Sequence, residues 1–204
     1  MAQKLQLRAE KTRLRILETA IEKFSSGGFT GTVIDDIAGS AGVNKQRIYA
    51  YFGSKQKLFD AALLEVFSRV KLLSSAAVRR AAEEPENLTG IVLEEFFRVH
   101  QENPALWRLL AWANLQSSTS VEALAGVRHE ENSALRKIFE VAVGQGLIKD
   151  VKFENWLFML LAVSCFYFSN SRTMQYTFAA EIIEPAWKNA FTGELKRLFL
   201  PGEQ

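Results

Sequence analysis

Residues 32–58 read TVIDDIAGSAGVNKQRIYAYFGSKQKL, and they predict two short helices joined by a glycine turn and followed by a third helix. The hydroxyl of Thr32 can cap the first helix, and Asp35 follows at the spacing of a capping box. Gly42 can adopt the positive φ that a sharp turn requires, Asn44 is a good cap for the second helix, and Ser54 is predicted to cap the third. This order is the sequence form of a helix-turn-helix, so it predicts duplex DNA as a ligand.

The second short helix of this motif begins with Lys45, Gln46 and Arg47, three side chains rich in hydrogen-bond donors. Ile48 and Phe52 are four residues apart and are predicted to point inward, which leaves the triplet on the outer face. The second helix of a helix-turn-helix enters the major groove, where arginine can bind guanine and glutamine can bind adenine. A solvated helix face is the alternative for such a triplet, but the capped, glycine-turned frame favours base reading.

Residues 14–64 resemble the DNA-binding domain of the TetR family of bacterial transcriptional regulators. The resemblance is carried by ILETAIEKF at residues 16–24 and by GGFTGTVIDDIAGSAGVNKQRIYAYFGSKQKLF at residues 27–59. Helix lengths, the turn glycine, the aromatic group and the lysine after it all stand at family spacing. The DNA-binding residues that the resemblance implies are Thr32, Asn44, Lys45, Gln46, Arg47, Tyr49, Tyr51 and Lys55.

Within this set, the resemblance implies phosphate contacts at Thr32, at Lys55 and at one or both of the tyrosines. It implies base contacts at residues 45–47. Two positions depart from the family pattern: Asn44 stands where serine is frequent, and Gln46 stands where a glycine or other small residue is frequent. The departures leave the fold intact but leave the operator sequence unpredicted.

The charge of the chain is concentrated at the predicted DNA end. Residues 1–60 hold ten Lys or Arg and six Asp or Glu, a net of +4, whereas the rest hold fifteen and seventeen, a net of −2. The first stretch is therefore predicted to be an arm or first helix near phosphates and the minor groove. A frayed, solubilising terminus is an equal alternative for the first two of its basic residues. These residues are Lys4, Arg8, Lys11, Arg13 and Arg15.

Composition predicts a cytoplasmic, non-enzymatic protein. The charged first stretch lacks the apolar segment of a secretory signal, and the single cysteine, Cys165, predicts a packed thiol rather than a disulfide. His100 and His129 do not stand at metal-ligand spacing, and no glycine-rich phosphate loop or framed nucleophile is present in the sequence. We therefore expect no catalytic site, no cofactor and no metal.

The apolar pattern predicts an all-α fold. We expect an N-terminal three-helix helix-turn-helix DNA-binding domain over residues 1–55 and a larger helical domain for effector binding and dimerisation over residues 56–204. The helix that begins at Ser54 is predicted to continue to about residue 82 and so to couple the two parts mechanically. Later helices are predicted at about 87–102, 104–116, 119–143, 154–172 and 179–199, and Pro185 is predicted to start or kink the last of them.

Residues 156–168, WLFMLLAVSCFYF, are the most apolar part of the chain. The run is shorter than the roughly 20 residues that cross a bilayer, so it predicts a helix buried on more than one side and no membrane span. The resemblance implies that the last two long helices of each subunit form a four-helix dimer interface, although some of their apolar residues belong to the core. The predicted interface residues are Trp156, Leu157, Leu161, Phe168, Trp187, Phe191 and Leu195.

The larger domain is also rich in aromatic residues with few charges among them, which is typical of a small-molecule pocket. Core packing explains each of these residues at least as well, but the resemblance favours some cavity among them and a hydrophobic effector. The candidate pocket residues are Phe96, Phe97, His100, Trp107, Trp112, Phe139, Met159, Phe166 and Tyr167.

Three functions remain open on this reasoning. The leading prediction is a homodimeric regulator, most simply a repressor, that a small hydrophobic ligand releases from a palindromic operator. The second is a DNA-binding activator or architectural factor without an effector. The third is a helical small-molecule carrier in which the N-terminal module no longer reads DNA.

Overall fold

The computed structural model describes residues 2–116, 119–124, 126–178, 181–182 and 184–201, and within these ranges every regular element is helical. The predicted all-α fold is thus confirmed. Two short 3₁₀ helices, Pro85–Asn87 and Thr119–Leu124, accompany the α-helices. The α-helices are α1 (Ala2–Gly31), α2 (Ile34–Ser40), α3 (Lys45–Phe52), α4 (Lys55–Arg69), α5 (Ser75–Glu83), α6 (Leu88–Glu102), α7 (Pro104–Leu115), α8 (His129–Gly144), α9 (Phe153–Phe178) and α10 (Pro185–Phe199).

The chain folds into two units, and each is built from segments that are not continuous in sequence. The first unit comprises Met1–Val70 and Asn103–Val127, and the second comprises Lys71–Glu102 and Arg128–Gln204. Helix α7 therefore belongs to the same unit as α1 to α4. The sequence placed the end of the DNA-binding domain at residue 55, and that functional boundary stays a prediction.

The core of the first unit forms because apolar residues of α1 recur at helical spacing and pack on α4 and α7. Phe24 meets Phe59 edge to face with ring centroids 5.2 Å apart, and Phe29 meets Phe59 in the same manner at 5.5 Å. The buried apolar residues that α1, α4 and α7 contribute include Ile16, Leu17, Ala20, Phe24, Leu58, Phe59, Ala62, Leu63, Leu106, Leu109 and Ala113.

A kink at Gly28 interrupts α1 in this unit. Gly28 has φ 70° and ψ 178°, a backbone conformation that is almost confined to glycine. A Cβ atom at this position would lie 2.6 Å from ring carbons of Trp112 on α7. The residue must therefore be small for two separate reasons, its backbone conformation and the approach of the indole.

The predicted continuous helix over residues 54–82 is wrong. Helix α4 ends at Arg69, Val70 is extended, and α5 begins at Ser75. The hydroxyl of Ser74 accepts a hydrogen bond from the backbone N–H of Ala77 at 3.1 Å, so it caps a new helix. The apolar pattern runs through the break because the leucines of the connection, Leu72 and Leu73, are both buried.

Three other helix boundaries differ from the prediction. The predicted helix over 119–143 is wrong in its first half, because a 3₁₀ helix and Gly126 with φ 84° precede α8. Helix α9 continues to Phe178 rather than ending near residue 172. Helix α10 begins at Pro185, where the sequence predicted a start or a kink and where proline is well tolerated, rather than at residue 179, which lies outside the described residues. The predictions for α6 and α7 are confirmed to within one residue.

The second unit is organised around α6, which is buried over most of its length and packs on α5, α9 and α10. Trp156 of α9 is fully buried, and its indole N–H donates to the hydroxyl of Thr89 on α6 at 3.1 Å. Its ring also lies 4.9 Å from that of Phe139 on α8, centroid to centroid. Among the helices of the described residues, none combines the length and the apolar character of a membrane-spanning segment.

Candidate nucleic-acid interface

Helix α3 is fixed at its first turn by a side-chain cap. The Oδ1 atom of Asn44 accepts a hydrogen bond from the backbone N–H of Arg47 at 2.8 Å, as the sequence predicted. Gly42 has φ 60° and provides the turn between α2 and α3. On the inner face of α3, Ile48 and Phe52 are buried in the core of the first unit. The opposite face is therefore held outward on a rigid support.

The predicted base-reading side chains lie on that outward face. Lys45, Gln46 and Arg47 are all exposed at the N-terminal end of α3. Lys45 is not isolated, since its Nζ atom lies 3.0 Å from Oδ2 of Asp35 in the first turn of α2. Its hydrogen bond and charge interaction with Asp35 raise the pKa of Lys45, so the amine is a cation at neutral pH. The surface can offer arginine and glutamine donors for base edges and a cation for phosphate or base.

Thr32 has a different local role from the predicted one. Val33 occupies the N-cap position of α2 without a side-chain hydrogen bond, so the predicted capping box is wrong. The Thr32 hydroxyl instead donates to the backbone oxygen of Lys23 at 3.0 Å, and the residue is only 4 % exposed. The hydroxyl ties the connection between α1 and α2 to the part of α1 that precedes the Gly28 kink, because its acceptor lies nine residues back along the chain. Its predicted phosphate contact stays a prediction.

The remaining predicted phosphate contacts lie around the same face. Lys55 is the first residue of α4, and its Nζ atom lies 4.6 Å from the ring centroid of Phe29, within cation–π range. The hydroxyl of Ser54 caps α4 by accepting from the backbone N–H of Lys57 at 3.1 Å, as predicted. Tyr49 is exposed, and Tyr51 is half-buried. Their roles toward DNA stay predictions.

The basic residues of the first stretch lie on α1 rather than on a non-helical arm. All five are exposed. Their spacing puts four of them on one face of the helix, because steps of three and four residues return to the same side. The four are Lys4, Arg8, Lys11 and Arg15. These four residues give α1 a cationic face of its own.

The nine candidate pocket residues are divided between the two units. Trp107 and Trp112 lie on α7 of the first unit, and the other seven lie in the second unit. Four of the seven are buried core residues, namely Phe96, Phe97, His100 and Phe139. Met159 and Phe166 are exposed on α9. The structure therefore does not bring the nine residues together around one cavity within either unit.

An apolar groove lies between α9 and α10 in the second unit, with a volume of about 480 Å³. It combines Phe166 and Tyr167, which the sequence assigned to a pocket, with Trp187 and Phe191, which it assigned to an interface. The residues that sequence reasoning missed lie mainly beyond its predicted end of α9. The lining residues are Ala162, Val163, Phe166, Tyr167, Met174, Phe178, Ile182, Trp187 and Phe191.

Two aromatic residues of α9 are more exposed than a core would allow. Phe158 is 72 % exposed and Phe166 is 49 % exposed, and both lie on the same face of α9 two turns apart. By contrast, Trp156 is fully buried in its own subunit, and Leu157 is also buried. These two residues belong to the core and have little side-chain surface to offer a partner, contrary to their predicted place at an interface.

His100 gives the second unit a pH dependence. Burial, reinforced by the positive charge of Arg128, lowers the pKa of His100 to about 4, whereas histidine in an unfolded chain titrates near 6.5. Between these values the unfolded chain binds more protons than the folded one. The stability that a neutral His100 contributes is therefore fully present above about pH 6.5 and is lost as the pH falls toward 4.

We expect His100→Gln to flatten the acid limb of the stability curve, because glutamine cannot take up the proton that the unfolded histidine binds. The wild-type free energy of unfolding should fall by up to about 3 kcal/mol more than that of the variant between pH 7 and pH 4. Urea denaturation across this range measures the difference. His129→Gln is the matched control because His129 is exposed. Parallel curves for wild type and His100→Gln would assign the acid sensitivity to other groups.

Two family models match the chain. Residues 16–62 match the model described as bacterial regulatory proteins, tetR family. Residues 85–193, more than half of the chain, match the model described as Tetracyclin repressor-like, C-terminal domain. The first match covers the whole helix-turn-helix, and the second covers α6 to α9 and the start of α10.

Characterised proteins show the same likeness. The HTH-type transcriptional repressor NicS of Pseudomonas putida is 30% identical over 178 residues, which are 84% of this chain and 82% of NicS. The HTH-type transcriptional repressor SCO4008 of Streptomyces coelicolor is 35% identical over 158 residues, 76% of this chain and 77% of that protein. The crystal structure of HlyIIR, a hemolysin II transcriptional regulator, shares the fold with a TM-score of 0.67 and 20% identity, covering 95% of this chain and 99% of HlyIIR.

Proposed function

The chain belongs to the TetR family of bacterial regulatory proteins, and from this premise we propose that it is a homodimeric repressor that a small hydrophobic ligand releases from a palindromic operator. The observation that carries the proposal is the outward face of α3, where Lys45, Gln46 and Arg47 stand on a capped and buried support. Repression rather than activation is favoured because NicS and SCO4008 are both repressors.

A palindromic site follows from the small size of the reading surface. One eight-residue helix contacts too few base pairs to be selective, whereas two copies related by a two-fold axis read two half-sites. The spacing of the half-sites then has to match the separation of the two α3 helices. Any change in that separation weakens binding, which is how a ligand can control it.

We assign the dimer contact to the exposed apolar face of α9 together with α10. The support is the solvent exposure of Phe158 and Phe166, and the apolar groove that Phe166 borders. Contiguous exposed apolar surface of this kind marks protein interfaces in soluble proteins. Leu161, Phe168 and Leu195 are only partly buried and remain in the proposed contact, and Trp187 and Phe191, also partly buried, border both this contact and the proposed ligand site.

The ligand part of the proposal rests on the aromatic chemistry of the second unit. Phe97, Tyr167, Trp187 and Phe191 follow one another in ring contact, with successive centroid distances of 5.3, 6.1 and 4.8 Å. Such a set can bind apolar or aromatic molecules. An almost complete switch requires the ligand to prefer the released conformation by about 10⁴-fold.

The first experiment is selection of the purified protein against random duplex DNA, followed by anisotropy on the enriched sequences at two salt concentrations. A palindrome bound far above random duplex, and released by aromatic compounds, is the expected result. Binding to an enriched sequence that no compound reverses would favour an activator without an effector. Salt-dependent binding without an enriched motif would favour an architectural factor. Binding of a ligand without binding of DNA would favour a carrier.

Arg47→Ala should relax specificity at one position in each half-site, at a cost of about 1–3 kcal/mol per contact, because arginine reads a base edge with two hydrogen bonds. Anisotropy on operators substituted one base pair at a time measures this. Lys55→Ala is the comparison, since a phosphate contact should weaken all sequences alike and reduce the salt dependence. Uniform weakening by Arg47→Ala would remove it from the base-reading set.

A further inference from the structure

Asp35 forms the one carboxylate contact of the DNA-facing triplet within the described residues. Its Oδ2 atom lies 3.0 Å from Nζ of Lys45, and the pair joins the first turn of α2 to the first residue of α3. The side chain of Asp35 is 66 % exposed, and that of Lys45 is 47 % exposed. The pair is thus accessible to the DNA that α3 would approach, and either partner can exchange its contact for another.

The ion pair changes what Lys45 can contribute to DNA binding. A lysine that neutralises a phosphate releases condensed counterions, and this release drives sequence-independent binding. A lysine held by a carboxylate is already neutralised, so it contributes a net charge to the complex only if it leaves its partner. On random duplex, moving the Lys45 amine from Asp35 to a phosphate replaces one anion by another and gains little binding free energy.

On a preferred sequence, moving the Lys45 amine from Asp35 to the DNA is more favourable. The amine can donate to a guanine edge in the major groove, a contact that only the right base pair supplies. Specificity is a difference between two affinities, so an element that weakens binding to the wrong sequences contributes to it as much as one that strengthens binding to the right sequence.

We propose that Asp35 is a specificity-determining residue, which holds Lys45 in an intramolecular ion pair and so withholds one charge per subunit from duplexes that lack the preferred base. This rests on the proposed function, because it presupposes that the chain reads a preferred sequence. Asp35 acts through Lys45 and does not itself contact DNA.

The chain supplies a matched control in the next residue. Asp36 also lies in the first turn of α2 and carries the same charge beside the same helix N-terminus. Among the described residues it forms no ion pair with any lysine or arginine. Asp35→Asn and Asp36→Asn therefore change net charge and helix-dipole energy equally, and they differ in the release of Lys45.

The test compares both variants on two duplexes of equal length, one enriched by selection and one of random sequence, by anisotropy over a range of salt concentrations. Asp35→Asn should tighten binding to random duplex by roughly three- to tenfold for a dimer, because two ion pairs are removed. The slope of log K against log salt should steepen by up to about 1.8, about 0.9 for each released charge. Binding to the selected duplex should change less, so the ratio of the two affinities should fall.

Asp36→Asn should change the affinity for both duplexes by the same small factor, and in a Lys45→Met background Asp35→Asn should have no larger effect than Asp36→Asn. Equal behaviour of the two asparagine variants, or an unchanged affinity ratio in Asp35→Asn, would overturn the inference. If the wild-type protein itself shows no preferred sequence, the proposed function fails first. If the wild-type protein prefers the selected duplex and Asp35→Asn leaves the ratio of the two affinities unchanged, the inference about Asp35 fails while the proposed function stands.

Discussion

Phe166→Arg is expected to convert the protein into a folded monomer that binds its operator roughly 10²–10⁴-fold more weakly, because the gain from simultaneous engagement of two half-sites is lost. Phe166 is 49 % exposed in the subunit, so arginine at this position leaves the subunit core intact. In the proposed interface the two-fold axis brings a guanidinium from each subunit into an apolar contact, where unpaired charges are strongly unfavourable.

Sedimentation velocity gives the mass of the variant, and anisotropy on the selected duplex gives its affinity. Val141→Arg is the control, because Val141 is an equally exposed apolar residue of the second unit that lies on α8 and outside the proposed contact. Circular dichroism establishes that both variants are folded. A Phe166→Arg dimer of unchanged affinity would move the interface away from the exposed face of α9.

The second large effect is expected in the first unit, where Gly28→Ala should lower the free energy of unfolding by about 2–6 kcal/mol. Part of the loss is backbone strain, since φ 70° with ψ 178° is almost confined to glycine. The rest comes from the Cβ atom, which would lie 2.6 Å from carbons of the Trp112 indole and force the ring or α1 to move. A loss of this size is a large fraction of the stability of an ordinary domain.

Urea denaturation followed by tryptophan fluorescence measures the loss. Gly31→Ala is the matched control, because a Cβ atom at Gly31 would meet nothing within 4 Å. Combining Gly28→Ala with Trp112→Leu separates the two causes, since the smaller side chain relieves the overlap and leaves the backbone strain. Equal stabilities of the Gly28 and Gly31 variants would contradict both parts of the explanation.

Local signals in the sequence were sufficient to predict the side-chain caps of α3 and α4. Asn44 caps α3 and Ser54 caps α4, because each bonds to a backbone N–H three residues away and needs no distant partner. Thr32 failed as a cap for the opposite reason. Its hydroxyl bonds to a carbonyl nine residues earlier, and only the folded path of the chain brings that acceptor into reach.

Long-range packing explains what the sequence did not predict. The Asp35–Lys45 ion pair joins two helices across a turn, so its distance depends on the angle at Gly42 rather than on sequence spacing. Trp156 and Phe158 stand two residues apart in one apolar run, yet the first is fully buried and the second is exposed. Hydrophobicity alone cannot distinguish them, because what decides is which face of α9 meets α6.

The position of α7 in the first unit determines which fragments of this regulator can be transferred to another protein. Residues 1–70 are continuous and contain every residue of the proposed DNA-reading surface, so this segment is the obvious one to transfer. Leu106, Leu109 and Ala113 of α7 are nevertheless buried in the same unit. A fragment that ends at residue 70 would expose the apolar surface of α1 and α4 that α7 covers. A chimaera that transfers this DNA specificity to another regulator therefore has to carry α7 as well, across an interruption of thirty-two residues in the chain, Lys71–Glu102.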